Sequence, residues 1–201
     1  MRILGIDPGY AIVGYGVVDK DQKGKCHIVD YGAITTPASD PFPYRLQKIQ
    51  NGIKILLDRY QPNAVAMEEL FFQNNTTTAI PVAEARGVII AEVINFTSNL
   101  FEYTPNQIKL STTGTGAADK HQVQQMTKYI LGLKSVPKPD DAADALAVAI
   151  THAQTNTIVA KTSMFEKLAR GERKSGTIPK NTQNKQLKVR ASSPAAPKGT
   201  R

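Results

Sequence analysis

Short apolar runs separated by turn residues dominate the first 35 positions of the chain. The first run begins at residue 3, is continuously apolar, and ends at Asp7, which is the pattern of a strand buried on both faces. Two more strand patterns cover residues 14–19 and 26–34, and the turn-forming segment 21–24 separates them. Three strands joined by short turns predict an antiparallel meander.

Helical and strand patterns alternate over the next part of the chain. Apolar residues recur at helical spacing in four segments, which are 44–60, 79–95, 120–131 and a last one that begins near Asp140. Strand patterns cover residues 64–68 and 100–104. This order predicts an α/β fold of the ribonuclease H-like kind. In that fold a mixed five-stranded sheet has three antiparallel strands followed by parallel strands, and helices flank it.

The distribution of charge divides the chain in two. The 201 residues carry a net charge of +8, but residues 161–201 hold 11 Lys or Arg and two acids, whereas residues 1–160 hold 14 basic and 15 acidic residues. We therefore predict a folded domain over residues 1–158 and a basic, mostly disordered tail over residues 159–201. The tail fits a solubilising role and a polycationic arm for nucleic acid equally well.

Other features of the composition exclude several classes of protein. The single Cys26 excludes an internal disulfide and a cysteine-rich zinc cluster, and the three histidines show no metal-ligand spacing. The first residues lack the pattern of a secretory signal peptide, and no apolar stretch approaches the roughly 18 residues that a membrane-spanning helix needs. We therefore expect a soluble, cytoplasmic protein with no membrane partner.

Four acidic residues stand where elements end or begin. Asp7 and Glu68 end strand patterns, and Asp141 and Asp144 lie three residues apart at the start of the last predicted helix, so they share a helix face. Each has a structural interpretation as a turn, strand-end or helix-cap residue. In the predicted fold all four can converge, and carboxylates gathered in this way hold hard divalent cations that suit phosphoryl chemistry.

Several motifs resemble those of the RuvC family, the bacterial Holliday junction resolvases. They are Ile3–Gly9 with Gly14-Tyr15-Gly16, Ala66–Phe72, Ala85-Arg86-Gly87, Gly114–Lys120 and Asp141–Ala147. They follow the family's order and spacing over about residues 3–152, and the tail beyond is not covered. Because Asp140 and Glu69 are also acidic, the register of the motifs assigns the metal-binding roles to Asp141 and Glu68.

The resemblance implies a homodimeric endonuclease of DNA recombination and repair. Such an enzyme resolves four-way junctions by paired symmetric nicks that leave 5′-phosphate and 3′-hydroxyl ends. It implies two Mg²⁺ ions per active site, with Mn²⁺ as a candidate substitute, and the RuvA–RuvB branch-migration complex as a candidate partner. The implied catalytic and metal-binding residues are Asp7, Glu68, Asp141 and Asp144. The implied DNA contacts are Phe71, Asn75, Lys109 and Lys120.

Three alternatives remain open from the sequence. Another ribonuclease H-like nuclease, acting on RNA or an RNA–DNA hybrid, would use the same carboxylates. An actin-like ATP-binding phosphotransferase also has an early Asp-x-Gly like Asp7-Pro8-Gly9, but such proteins are much longer. A non-catalytic nucleic-acid binder would use the basic tail.

Two further predictions concern residues outside the acidic cluster. The segment Gly114-Thr115-Gly116 is interpreted as a phosphate cradle of free backbone N–H groups. Arg86 is interpreted as a structural or dimer residue.

Overall fold

A computed structural model of the protein describes residues 1–70 and 76–155. Within these residues there are five strands and five helices. In chain order they are β1 (Arg2–Asp7), β2 (Ile12–Lys20), β3 (Cys26–Thr35), α1 (Phe42–Tyr60), β4 (Ala64–Glu68), α2 (Thr76–Phe96), β5 (Leu100–Tyr103), α3 (Pro105–Thr113), α4 (Lys120–Ile130) and α5 (Asp140–Gln154). The predictions for Phe71, Asn75 and the tail lie outside the described residues.

The strands form one mixed sheet in the order β3-β2-β1-β4-β5. β1 pairs antiparallel with β2, and β2 pairs antiparallel with β3. β4 runs parallel to both β1 and β5. The predicted ribonuclease H-like α/β arrangement is therefore confirmed. No helix in the described part of the chain is long and apolar enough to cross a membrane.

One helix was missed by the sequence prediction. Pro105 was interpreted as the end of a strand segment, but it is the first residue of α3, where its fixed φ favours a helix start. Thr104 accepts a hydrogen bond from the backbone N–H of Gln107, and the Gln107 side chain accepts one from the backbone N–H of Thr104. This reciprocal capping box begins the helix.

The two faces of the sheet are covered differently. On the first face α1 and α2 pack large aliphatic side chains against the strands, and the buried members include Leu4, Ile6, Ile49, Ile53, Leu57, Ile89 and Val93. On the second face α5 contributes mainly alanines, together with Leu146 and Val148. Alternate residues of β1 supply the two faces, as the two-residue period of a strand requires.

Glycines of β1 and β2 bring α5 unusually close to the sheet. A Cβ atom at Gly5 would lie 2.1 Å from the backbone oxygen of Ala145, and one at Gly14 would lie 2.0 Å from that of Asp141. A Cβ atom at Gly16 would lie 2.7 Å from the side chain of Leu146. The helix backbone therefore rests against bare strand backbone, which sets the first turn of α5 beside the carboxyl end of β1.

Candidate active site

Asp7 and Glu68 lie side by side at the ends of the two central strands. β1 and β4 are parallel and pair Ile6 with Met67, so the next residue of each strand leaves the sheet at the same edge. Glu68 is in turn paired with Tyr103 of β5. The sequence predicted this meeting from the positions of the two acids at strand ends.

Asp141 and Asp144 reach the same edge from α5. Asp7 pairs across the sheet with Gly14, and Gly14 is the residue against which the backbone of Asp141 packs. The negative charges of Glu68, Asp144 and Asp141 all act on Asp7. The structure thus brings together the four carboxylates that the sequence proposed as a cluster.

The cluster is electrostatically unfavourable by itself. Burial, followed by the charges of Glu68, Asp144 and Asp141, raises the pKa of Asp7 to about 8, while the charge of Lys120 opposes this rise. Burial is also the main reason why the pKa of Glu68 is raised, followed by the charge of Asp144. Because partly buried like charges repel each other, this group of oxygens favours a bound proton or cation.

Lys120 and Lys109 place positive charge next to these acids. The Lys120 ammonium lies 2.7 Å from a carboxylate oxygen of Asp144. The charge of Lys109 acts on Glu68 and opposes the rise in its pKa. Lys120 begins α4, which is capped by Asp119 and Gln122 in a second capping box. Both lysines thus lie at the acidic cluster.

A cavity of about 210 Å³ opens beside the cluster. Its polar wall consists of Glu68, Lys109, Lys120 and Asp144. Its apolar wall consists of Pro105, Ile108, Val123 and Ala147. Glu68, Asp144 and the two lysines therefore face a common space that is open to a substrate.

The neighbouring acids Asp140 and Glu69 are oriented differently. Asp140 pairs with Lys138 at 2.6 Å, and that contact is the main reason why its pKa is lowered. The charge of Glu69 acts on Arg86 of α2, and its backbone N–H donates to Tyr103. These partners favour Asp141 and Glu68 as the members of the cluster.

The four carboxylates of the cluster are of the ligand type that hard divalent cations prefer. Among residues 1–70 and 76–155, no three His, Cys, Asp or Glu side chains are arranged so that they could hold a metal ion. Asp144 is paired with Lys120. The chemistry nevertheless fits, because the cluster offers only carboxylate oxygens, and burial beside other carboxylates raises the pKa of Asp7, Glu68 and Asp144.

Two of the three backbone N–H groups in the predicted phosphate cradle, Gly114-Thr115-Gly116, are already used within the protein. Gly114 ends α3 in the left-handed region, at φ 79°, and its N–H donates to Leu110. The N–H groups of Thr115 and Ala117 donate to the side chains of Thr113 and Thr115. The N–H of Gly114 therefore ends α3, those of Thr115 and Ala117 bond to threonine side chains, and none of these three is free for a phosphate.

His152 is a residue of the core. Its Nδ1 lies 2.8 Å from the hydroxyl of Tyr103, and its ring packs against Phe101. Burial lowers its pKa to about 4, so it is neutral near pH 7 and belongs to the core.

A mixed sheet whose adjacent parallel strands end in carboxylates, with a helix bringing two more, defines a nuclease of the ribonuclease H-like class. Within this class the chain belongs to the RuvC family, because the family model described as "Crossover junction endodeoxyribonuclease RuvC" matches residues 3–152. The chain is accordingly an endodeoxyribonuclease. The RNA-directed and actin-like alternatives are not favoured.

Individual relatives agree with this assignment. The crossover junction endodeoxyribonuclease RuvC of Brevibacillus brevis is 52% identical over 159 residues, which cover 79% of this chain and 95% of the relative. The solved structure of Thermus thermophilus RuvC matches with a TM-score of 0.74 and 35% identity, over 80% of this chain and 98% of that one. T. thermophilus RuvC in complex with a Holliday junction substrate matches with a TM-score of 0.72 and 36% identity, over 77% of this chain and 93% of that one.

Proposed function

We propose that this endonuclease resolves Holliday junctions by paired, symmetric, metal-dependent nicks that leave 5′-phosphate and 3′-hydroxyl ends. The observation that carries the proposal is the convergence of Asp7, Glu68, Asp141 and Asp144 at one sheet edge in a chain of the RuvC family. A relative from T. thermophilus has been solved with a Holliday junction substrate, which supports the same substrate here.

In this proposal the four carboxylates hold divalent metal ions, two Mg²⁺ per active site, with Mn²⁺ able to substitute. Such ions supply a Lewis acid that activates water and stabilises the leaving 3′ oxygen. Asp7 and Glu68 orient the site from rigid strand ends, while Asp141 and Asp144 complete it from α5. A bound cation also supplies the positive charge that Asp144 now obtains from Lys120.

Lys109 and Lys120 bind DNA phosphates in this scheme. Both line the cavity beside Glu68 and Asp144, and the Lys120 side chain is 60% exposed, so it can turn from Asp144 towards a phosphate. Phe71 and Asn75 are proposed as further DNA contacts because they follow Glu68 closely along the chain. The basic tail is proposed as a sequence-independent DNA contact.

The outer face of α2 supports a homodimer. Ala83, Gly87 and Ala91 are exposed along this helix, Ile80 is 68% exposed, and a Cβ at Gly87 would meet nothing within 4 Å. A helix-interior glycine costs about 1 kcal/mol relative to alanine, and small residues let a second helix approach closely. A two-fold dimer presents two equal sites to a junction of matching symmetry.

Two further assignments accompany this function. Cutting chromosomal recombination intermediates requires a cytoplasmic location in a bacterial cell, and the RuvC relatives from B. brevis and T. thermophilus are bacterial proteins. The RuvA–RuvB complex is the proposed partner that delivers the junction. Arg86 has a structural role in this scheme, since it pairs with Glu102 of β5.

The direct test is cleavage of a labelled four-way DNA junction beside a linear duplex and an RNA–DNA hybrid, each with Mg²⁺, Mn²⁺ or EDTA. We expect paired, ligatable nicks in the junction alone, in the presence of a metal only. Preferential cleavage of the hybrid would move the protein to another branch of the fold, and unpaired nicks would argue against the symmetric dimer.

The tail can be tested separately by removing residues 159–201. Because phosphate contacts by lysine and arginine release counterions, we expect weaker junction binding at low salt and a shallower dependence of affinity on salt. The rate of cleavage at saturating protein should change little. An unchanged salt dependence would count against the arm.

A further inference from the structure

Arg45 is a buried cation that the active site described so far does not use. It lies in the first turns of α1 and is only 6% exposed. None of the ion pairs between described residues involves it. The positive end of the helix dipole also disfavours a cation there. An aliphatic side chain would suit this position better for stability alone, which directs attention to what Arg45 contacts.

The Arg45 guanidinium is engaged with two residues of distant segments. Its Nε donates a hydrogen bond to the hydroxyl of Thr36 at 2.9 Å, and one Nη donates to the hydroxyl of Tyr10. The plane also stacks on the Tyr10 ring, with 3.5 Å between Cζ and the ring centroid. A planar fork can bond and stack at once, which the single ammonium of a lysine cannot reproduce.

Thr36 holds the backbone of the same segment. Its hydroxyl donates to the carbonyl of Tyr10 at 2.7 Å, and its backbone N–H donates to that of Ala11 at 2.9 Å. Arg45 and Thr36 therefore fix both the side chain and the carbonyls of the turn that joins β1 to β2. That turn, residues 8–11, starts immediately after Asp7.

We propose that Arg45 is a positioning residue for metal binding, because it holds the 8–11 turn through Tyr10 and Thr36 and so orients the carboxylate of Asp7. The inference rests on the function proposed above. Asp7 pairs with Gly14 of β2, and the 8–11 turn begins directly after it, so the conformation of this turn sets the direction in which the chain leaves β1. Residues that orient a metal ligand from behind commonly affect metal affinity by about 10- to 100-fold.

Arg2 provides a matched control at the opposite end of β1. It also ties the strand to other elements, since it donates to Asp19 at 3.0 and 2.9 Å and to the carbonyl of Tyr60 at 3.3 Å. Its contacts are remote from Asp7 along the strand. If β1 is merely less well anchored, both Arg2→Gln and Arg45→Lys should show the same defects. If the orientation of the Asp7 carboxylate is lost, only Arg45→Lys should bind metal more weakly.

The experiment compares wild type, Arg45→Lys, Tyr10→Phe and Arg2→Gln as full-length proteins. Mn²⁺ binding to the DNA-free protein is measured by electron paramagnetic resonance, junction affinity in EDTA by gel shift, and single-turnover cleavage over a Mg²⁺ titration. For Arg45→Lys we expect about tenfold weaker Mn²⁺ binding and a higher Mg²⁺ requirement. Tyr10→Phe should also weaken Mn²⁺ binding and raise the Mg²⁺ requirement, by smaller factors than Arg45→Lys. Arg2→Gln should lower the melting temperature alone.

Distinct results would overturn the proposal. If Arg45→Lys and Tyr10→Phe bind Mn²⁺ as wild type does, Arg45 is merely structural. If Arg45→Lys weakens junction binding in EDTA and flattens its salt dependence while Mn²⁺ binding is unchanged, Arg45 contacts phosphate instead of positioning Asp7. A wild type that cuts no junction would refute the proposed function, and the Mn²⁺ comparison would still decide the role of Arg45.

Discussion

The two faces of the sheet are built for different purposes. The face under α1 and α2 is filled with interlocking Ile, Leu and Val side chains, whose volume stabilises the domain. On the face under α5, glycines of β1 and β2 lie against helix backbone, with little side-chain volume between them. The first face tolerates small adjustments of side chains, whereas the second fixes a distance between backbones.

This difference explains where the acids are found. Asp141 and Asp144 come from the helix that lies on bare strand backbone, and Gly14 joins that contact directly to Asp7. A rotation of side chains cannot compensate for a shift of the α5 backbone. The face under α5, which we call the close face, therefore sets the geometry of the site. The face under α1 and α2, which we call the aliphatic face, supplies the stability that holds it.

The largest effect is expected at Asp7, where the first turn of α5 meets the end of β1. Asp7→Asn removes a proposed metal ligand, so we expect cleavage to fall by several orders of magnitude. Junction binding in EDTA should be retained or strengthened, because one source of repulsion against phosphate is lost. Cleavage assays and gel shifts on the same preparation measure both, and a joint loss of binding and cleavage would indicate misfolding instead.

The two faces can be compared directly by adding one methyl group to each. A Cβ at Gly14 would collide with the backbone of Asp141 at 2.0 Å, whereas one at Gly52 of α1 would meet the flexible side chain of Ile34 at 2.7 Å. We expect Gly14→Ala to reduce cleavage by about 100-fold through displacement of α5. Gly52→Ala should leave cleavage near the wild-type rate. Equal effects of the two changes would remove the distinction between the faces.

The raised pKa of Asp7 predicts an unusual dependence of stability on pH. In the unfolded chain this carboxyl loses its proton near pH 3.8, but in the folded protein only near pH 8. Since the folded state binds the proton more tightly, metal-free stability should fall as the pH rises between these values. Asp7→Asn should therefore be more stable than wild type near pH 8, with the advantage vanishing near pH 4. Thermal melts of both proteins in EDTA between pH 4 and pH 8 measure this difference in stability. If Asp7→Asn were more stable by the same amount at every pH, the raised pKa of Asp7 would not be the cause.

The smallest effect is expected on the aliphatic face. Ile53 is fully buried there, and Ile53→Val should lower the free energy of unfolding by about 0.5–1.5 kcal/mol. Cleavage per folded molecule should not change, because no backbone of the site is displaced. Urea unfolding and single-turnover cleavage test the two statements. A loss of activity without a loss of stability would show that this face also sets the site geometry.

The strands, most helices and the meeting of the acids were predictable because their signals are local. An apolar run that ends in an acid, as at Asp7 and Glu68, shows both the strand and the edge where its carboxylate emerges. Spacing alone placed Asp141 and Asp144 on one face of α5. The start of α3 also had a local signal, Thr104 followed by Pro105 and Gln107, although it was not recognised.

The remaining features depend on contacts between distant segments. Nothing around Gly14 shows that a helix some 130 positions later will lie on it. The same is true of Arg45, whose partner Tyr10 is 35 positions away. The pairing of Lys120 with Asp144 likewise follows from how α4 packs on α5. Such relations follow from the tertiary structure and leave no periodic signal in the chain.

The contact of α5 with bare strand backbone has a consequence for protein engineering. Because the helix axis is fixed by main-chain atoms, the side chains at positions 141 and 144 can be exchanged while their attachment points stay in place. Ligand sets with nitrogen or neutral oxygen donors could thus be installed on one rigid framework to select a different metal ion. The same framework imposes a strict size limit at Ala145 and Ala149, which face Gly5.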